Sequence, residues 1–259
     1  MAKVESHGKR SILVDAHVHL HHPATALDDL RQAAASFAAF GIGKAPAVIL
    51  LAERAGFDVF QLLEAQLAAT AEPESLWFHH GDQHLLVIAG RQIITEEGLE
   101  VLGLATRTQI ADGLPAARVI ELLQEADAIT VLPWAVGKWL GRRGKIIDRL
   151  LAQATPGSLF LGDNGGRPGW WPVPQFSLGI PVLAGSDPLP LPGSARTIGS
   201  YGSRIGFSLL EETPAASLKR ALRDPTTRIT TYGRQAPVLR FISDQARLRI
   251  GRKSMEQPA

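Results

Sequence analysis

Two histidines one residue apart follow the first apolar run of the chain, in Asp15-Ala16-His17-Val18-His19. Side chains two apart on a strand point to the same side. A strand over residues 12–16 therefore projects His17 and His19 together from its C-terminal end. Two neutral imidazoles on one side supply two nitrogen ligands for Zn, Mn or Fe. Asp15 beside them suits orienting an imidazole or tying down the strand end. Four of the eight histidines lie within this one segment, at His17, His19, His21 and His22. A second carboxylate-bearing strand end is Gly185-Ser186-Asp187, directly after the apolar run 180–184. Asp187 would complete a His-His-Asp set; a turn-forming Asp before Pro188 accounts for the same residues without a metal.

Four of the five tryptophans, Trp134, Trp139, Trp170 and Trp171, sit in two loops that also hold Lys138, Arg142, Arg143, Asp163, Asn164 and Arg167. Arg and Lys suit phosphate or carboxylate, Arg in a two-pronged fashion. Trp faces suit stacking on a sugar or base, and glycine-rich segments let backbone approach an anion closely. Trp134, Lys138, Asp163, Asn164 and Arg167 are thus candidates for holding a ligand, as is Arg196 on the loop after Asp187. The same loops also read as a structural cover, with Trp filling volume and the cations solvated. His79, His80 and His84 read as exposed loop histidines, and Glu96, Glu97 and Glu100 as a solvated face around a turn. The chain has no Cys and no G-x-S-x-G, so disulfides, thiolate ligands and an acyl-enzyme nucleophile are excluded.

The elements that must position these groups alternate between short apolar runs and longer amphipathic ones. Strands are expected over 12–16, 46–52, 128–132, 158–161 and 180–184, with a hairpin across Glu96-Glu97-Gly98. Helices are expected over 26–40, 57–69, 115–126, 145–153, 214–223 and 232–248. Continuous apolar strands separated by helices indicate parallel strands covered on both sides. The 259 residues, 45% hydrophobic and 20% charged, fit one large α/β barrel or two ordinary domains. No G-x-G-x-x-G follows the first strand, which weakens a nucleotide-binding sheet. With 27 basic against 25 acidic residues the charge balance gives no reason to expect nucleic acid. Apolar runs are too short for a signal peptide or a membrane span, so a cytoplasmic protein without membrane contact is expected.

The ordered motifs DAHVHL, GRQIITEEGLEVLGL, AITVLPW and VLAGSDPL resemble the polymerase-and-histidinol-phosphatase (PHP) superfamily over residues 12–223. The resemblance implies a distorted (βα)7 TIM-like barrel whose metal cluster hydrolyses phosphate esters. It divides the chain into an N-terminal extension (1–11), one barrel domain (12–245) and a basic tail (246–259). His17 and His19 match the opening HxH, and Asp187 the late aspartate. Other ligand positions differ: Glu53-Arg54 stands where the family has Asp-His, Gln92 where it has Glu, Trp134 follows Pro133 where it has His-Pro, and Leu189 where it has His. A bridging carboxylate offsets the repulsion between two cations, and neutral Gln92 does so poorly. One divalent ion is expected on His17, His19 and Asp187, joined by Glu53 or the Gln92 carbonyl oxygen; a full multinuclear cluster is not. The function implied is a metal-dependent phosphoesterase in which Asp187 helps activate water and Lys138 or Arg167 steadies the ester. The alternative is an inactive barrel binding an anionic or sugar-like ligand or a protein partner.

Overall fold

The computed structural model describes residues 10–41 and 45–255. Strand β1 (Arg10–Val18) leads through helix α1 (Ala26–Ala38) to β2 (Ala47–Leu51) and a short helix α2 (Val59–Glu64). Next come β3 (Ala68–Ala69), β4 (Ser75–His80) and β5 (Gln83–Ile88), then a hairpin of β6 (Gly90–Ile94) and β7 (Glu100–Leu104). Helix α3 (Ala116–Glu125), β8 (Ile129–Pro133), α4 (Gly141–Gln153), β9 (Phe160–Asn164) and β10 (Val182–Gly185) alternate after it. β11 (Tyr201–Phe207), α5 (Pro214–Arg223), β12 (Ile229–Gly233) and α6 (Val238–Met255) follow.

The strands form two sheets, ordered β12-β11-β1-β2-β5-β4-β3 and β10-β9-β8-β7-β6. Parallel ladders run through β1-β2-β5 and through β8-β9-β10, while the other pairings are antiparallel. The architecture is mixed α/β, as expected, but no closed barrel is found among the described residues. Local contacts join the sheets instead. A single parallel bridge pairs Glu53, past the end of β2, with Arg91 of β6. On the other side the Asp187 N–H donates to the His17 carbonyl at 2.8 Å. A Cβ at Gly185 would lie 2.3 Å from the His17 nitrogen, so the closeness of β10 to β1 requires glycine there.

Alternation along the strands sorts the apolar side chains. Val48 and Leu50 of β2 face a core shared by both sheets, with Leu104, Val131, Phe160 and α5's Leu218. Ala47, Ile49 and Leu51 face the opposite way, against Leu30, Ala33 and Phe37 of α1. Helices α3 and α4 cover the outer face of the second sheet through Val119, Leu123, Ile147 and Leu151. Strands clothed on both faces are apolar throughout, which is why 46–52 reads as an unbroken run. Burying each such Leu or Phe contributes roughly 1.5–3 kcal/mol. Helix α3 begins where the Glu97 carboxylate accepts the Ala116 N–H at 3.0 Å, a cap at a helix start.

Some elements differ from expectation. The helix expected over 57–69 stops at Glu64, because Ala68 and Ala69 pair with Trp77 and Leu76. The helix expected from residue 232 begins at Val238, since Ile229–Gly233 pairs with β11 and Gly233 turns at φ 81°. Residues 246–255 of the expected tail continue α6, and residues 256–259 lie outside the described residues. So do residues 1–9 of the expected N-terminal extension, while Arg10 and Ser11 belong to β1. Among the described residues no helix is long and apolar enough to cross a membrane.

Candidate metal centre

The pairing of β1 with β2 slips between Asp15, opposite Ile49, and Val18, opposite Leu51. Three steps on β1 thus match two on β2, which is a bulge. Before it, even-numbered Ile12, Val14 and Ala16 face the shared core. After it, even-numbered Val18 and Leu20 pack on the α1 side. The slip reverses the alternation and turns His17 and His19 away from α1, toward the end of the shared core. Asp15 stays behind, fully buried, accepting N–H bonds from Ser186 at 2.8 Å and Gly199 at 2.9 Å. Burial pushes its carboxyl up to about 6, with those hydrogen bonds pulling the other way. Asp15 therefore ties β1 to the segments after β10 and before β11.

His17 and His19 place their Nε2 atoms 3.0 Å apart, and His17 Nε2 is 3.2 Å from Gln92 Oε1. Asp187 Oδ1 lies 3.6 Å from both imidazole nitrogens. Two atoms about 2.1 Å from one cation at tetrahedral angles stand roughly 3.4 Å apart, and the observed spacings bracket that value. Burial lowers the His19 pKa well below its ordinary value, and the charges of His17, Arg54 and His21 add to the effect. His19 is thus held neutral with a lone pair available. A single proton on His17 Nε2 can satisfy only one of the acceptors facing it. His17, His19 and Asp187 form a group able to hold a metal ion, with Gln92 Oε1 as a further oxygen donor.

Backbone and neighbours aim Asp187. Its φ of 46° is left-handed, a conformation that Asp adopts more readily than most residues. Asn164 at the end of β9 donates from Nδ2 to Asp187 Oδ2 at 3.2 Å and to the Trp134 carbonyl at 2.9 Å. That leaves Oδ1 for the histidines. His21 Nε2 donates to the Pro188 carbonyl at 2.7 Å, which pins the loop after Asp187 to the loop after β1.

Other candidate residues lie around this group in different roles. The Glu53 carboxylate accepts the Val59 and Phe60 N–H groups at 2.5 and 3.0 Å, capping α2, and faces Arg91 at 3.7 Å. Burial raises its pKa. Lys138 pairs with Glu100 at 2.5 Å. Arg167 grips Asp163 with Nε at 2.7 Å and a second nitrogen at 2.8 Å, and its guanidinium stands 6.0 Å from the Trp134 ring centre. Trp134 is buried and meets Trp171 edge-on, while Trp139 donates from its indole to the Pro133 carbonyl. Arg196 is exposed and lines a hollow of about 380 Å³ beside His19, His21 and His22. His79 and His84 stand directly opposite each other on β4 and β5, so they are strand residues rather than loop residues.

Three further residues join the site, and of these only Arg54, at a replaced ligand position, carried a sequence signal. Arg54, exposed just past β2, lies near enough for its charge to weigh on His19 and His21. Its place directly after an apolar strand was a further clue. Tyr201 and Gln235 both donate to Asp163 Oδ2, at 2.7 and 2.9 Å. Neither lies in a recognisable motif.

No protein-family model matches the chain, and comparison of its sequence with curated proteins finds no match. Its fold is similar to solved structures. PsfC from Pseudomonas syringae PB-5123 matches with a TM-score of 0.54 and 14% identity, over 95% of this chain and 99% of that one. The lesion-specific endonuclease PfuEndoQ from Pyrococcus furiosus matches with a TM-score of 0.59 and 13% identity, over 86% of this chain and 59% of that one. Endonuclease Q in complex with a 27-mer duplex substrate carrying an abasic lesion matches at 0.57 and 12%, over 87% and 60%. This chain therefore spans about three-fifths of the endonuclease Q chains. The likeness is one of fold and is consistent with a PHP-type architecture.

Proposed function

We propose that the protein is a divergent PHP-like hydrolase of phosphate esters, built as an interrupted (βα)7 barrel, that uses one divalent ion on His17, His19 and Asp187. The observation that carries this reading is the convergence of those three groups and Gln92 Oε1 within hydrogen-bond to ion-pair distance. A bound divalent ion supplies Lewis-acid activation of water and of a phosphoryl oxygen. The chain's residues do the rest. Asn164 and the left-handed turn hold the Asp187 carboxylate toward the histidines. Trp134, packed edge-on against Trp171 beside the site, excludes water from that side. Arg54 and Arg196, exposed near His19, take the ester's negative charge. Lys138 and Arg167, already paired with Glu100 and Asp163, hold the surrounding loops in the shape the substrate meets.

The test is elemental analysis of purified protein together with hydrolysis of bis(p-nitrophenyl) phosphate and p-nitrophenyl phosphate. About one Zn, Mn or Fe per chain, with turnover lost on chelation and in His17→Ala/His19→Ala, is expected. Turnover that survives chelation would overturn the mechanism.

A second reading is an inactive barrel that binds an anionic ligand. The replacement of ligand positions by Gln92, Trp134 and Leu189 favours it, as does the commitment of Lys138 and Arg167 to internal ion pairs. Bound metal with no turnover of any ester would select it.

A further inference from the structure

A cleft of about 460 Å³ opens beside the His17-His19-Asp187 group, and Asp187 belongs to its wall. One side is a single stripe of α6, namely Arg240, Ser243, Asp244 and Arg247. Their spacing of three and four places them on one helix face. Arg234, just before that helix, adds a third guanidinium. Ser194, Thr197 and Ser200 also line the cleft, their hydroxyls donated to the carbonyls of Leu189, Ser194 and Thr197. Two anchors hold this wall against the site: the Ala236 N–H donates to the Gly165 carbonyl at 2.7 Å, and Gln235 reaches Asp163. Asp244 stands 3.6 Å from Arg240, which leaves Arg234 and Arg247 without an ion pair among the described residues.

We propose that this cleft binds a second phosphate of the substrate, so that the protein acts on small molecules carrying an anionic group beyond the reacting ester. The inference rests on the phosphoesterase reading for its link to turnover, but not for binding. Guanidinium forks suit phosphate oxygens. The volume is that of a small-molecule site, and the balanced charge of the chain argues for a compact ligand over a long polyanion.

The test is calorimetric titration of inorganic pyrophosphate into the full-length His17→Ala/His19→Ala protein, where no metal site contributes. Saturable binding is expected, weakened at least tenfold by adding Arg234→Gln and Arg247→Gln. Both arginines are exposed, and circular dichroism checks that the fold is kept. No binding, or binding unchanged by the two substitutions, would overturn the proposal. Tighter capture of a 12-nucleotide single strand than of pyrophosphate would overturn its small-molecule form. In the wild type, the same two substitutions should raise KM for a diester bearing an added phosphate and leave that for bis(p-nitrophenyl) phosphate unchanged. Absence of all turnover would count against the phosphoesterase reading alone, since pyrophosphate binding is measured apart from it.

Discussion

Two buried polar clusters lie side by side in this molecule and solve their electrostatics in opposite ways. Around Asp163, donors meet the need in full: Arg167 grips the carboxylate with two nitrogens, while Tyr201 and Gln235 donate to the same oxygen. Burial works against the Arg167 charge, yet the bond to Asp163 outweighs it and raises the pKa; burial followed by the Asp163 charge raises that of Tyr201. Around Asp187 the balance is reversed. Two imidazoles, an amide oxygen and a carboxylate oxygen face one point, and the protein supplies too few protons for them. Asn164 touches both settings by its position, adjacent to Asp163 in sequence and bonded to Asp187 in space. The first cluster carries its counter-charge within the chain, and the second is arranged to take one from outside.

The contrast is sharpest if Asp163 is removed. Asp163→Ala strands the Arg167 charge in a buried setting and is expected to cost about 3–5 kcal/mol in urea unfolding. His17→Ala/His19→Ala, measured without metal, is expected to change stability by less than half of that loss. Equal losses would erase the distinction between the clusters. A smaller effect concerns ligand linkage. Zn or Mn at a hundredfold excess over its Kd should stabilise the wild type by about 2.7 kcal/mol, read as a raised Tm, and leave the double variant unmoved. Next is Asp15→Asn, in which one N–H from Ser186 or Gly199 must face the new amide donor. A loss of about 1–3 kcal/mol is expected by chemical denaturation. Gln92→Glu adds a negative ligand and should tighten metal binding by about tenfold in competition with a chelator; weaker binding would remove Gln92 from the site.

The smallest expected effect lies far from the site, at Asp127. Its pKa is lowered because pairing with Arg223 and Lys219 outweighs partial burial. A depressed carboxyl pKa stabilises the fold above the ordinary carboxylate value, and that contribution fades as pH falls through the folded value. This side chain is largely exposed, so Asp127→Asn should cost less than about 1 kcal/mol at neutral pH and nothing at acid pH.

Legibility in the sequence followed burial. Residues 46–52 and 128–132, clothed on both faces, announced themselves as strands, and α3 showed its apolar stripe. Strand β11, Tyr-Gly-Ser-Arg-Ile-Gly-Phe, carries two glycines and an arginine and gave no such signal. His17, His19 and Asp187 were legible because a strand end restricts where side chains go. Gln92 was visible as a replaced ligand, but its contact with His17 depends on the Glu53–Arg91 bridge, a pairing between distant segments. Likewise, nothing local to Lys138 reveals that Glu100 is within reach, whereas Asp163 stands only four residues before Arg167. Partners 38 residues apart, as Lys138 and Glu100 are, belong to tertiary structure.

The slip between β1 and β2 makes register as important as residue identity. The same residues paired with β2 without the slip would retain both histidines, the strand and its apolar character. Their imidazoles, however, would come out on the α1 side, away from Asp187. Two sequences that align well by residue type can therefore differ in whether they hold a site at all. For this protein, the site depends on a break in the ladder that none of the ligand residues encodes by itself.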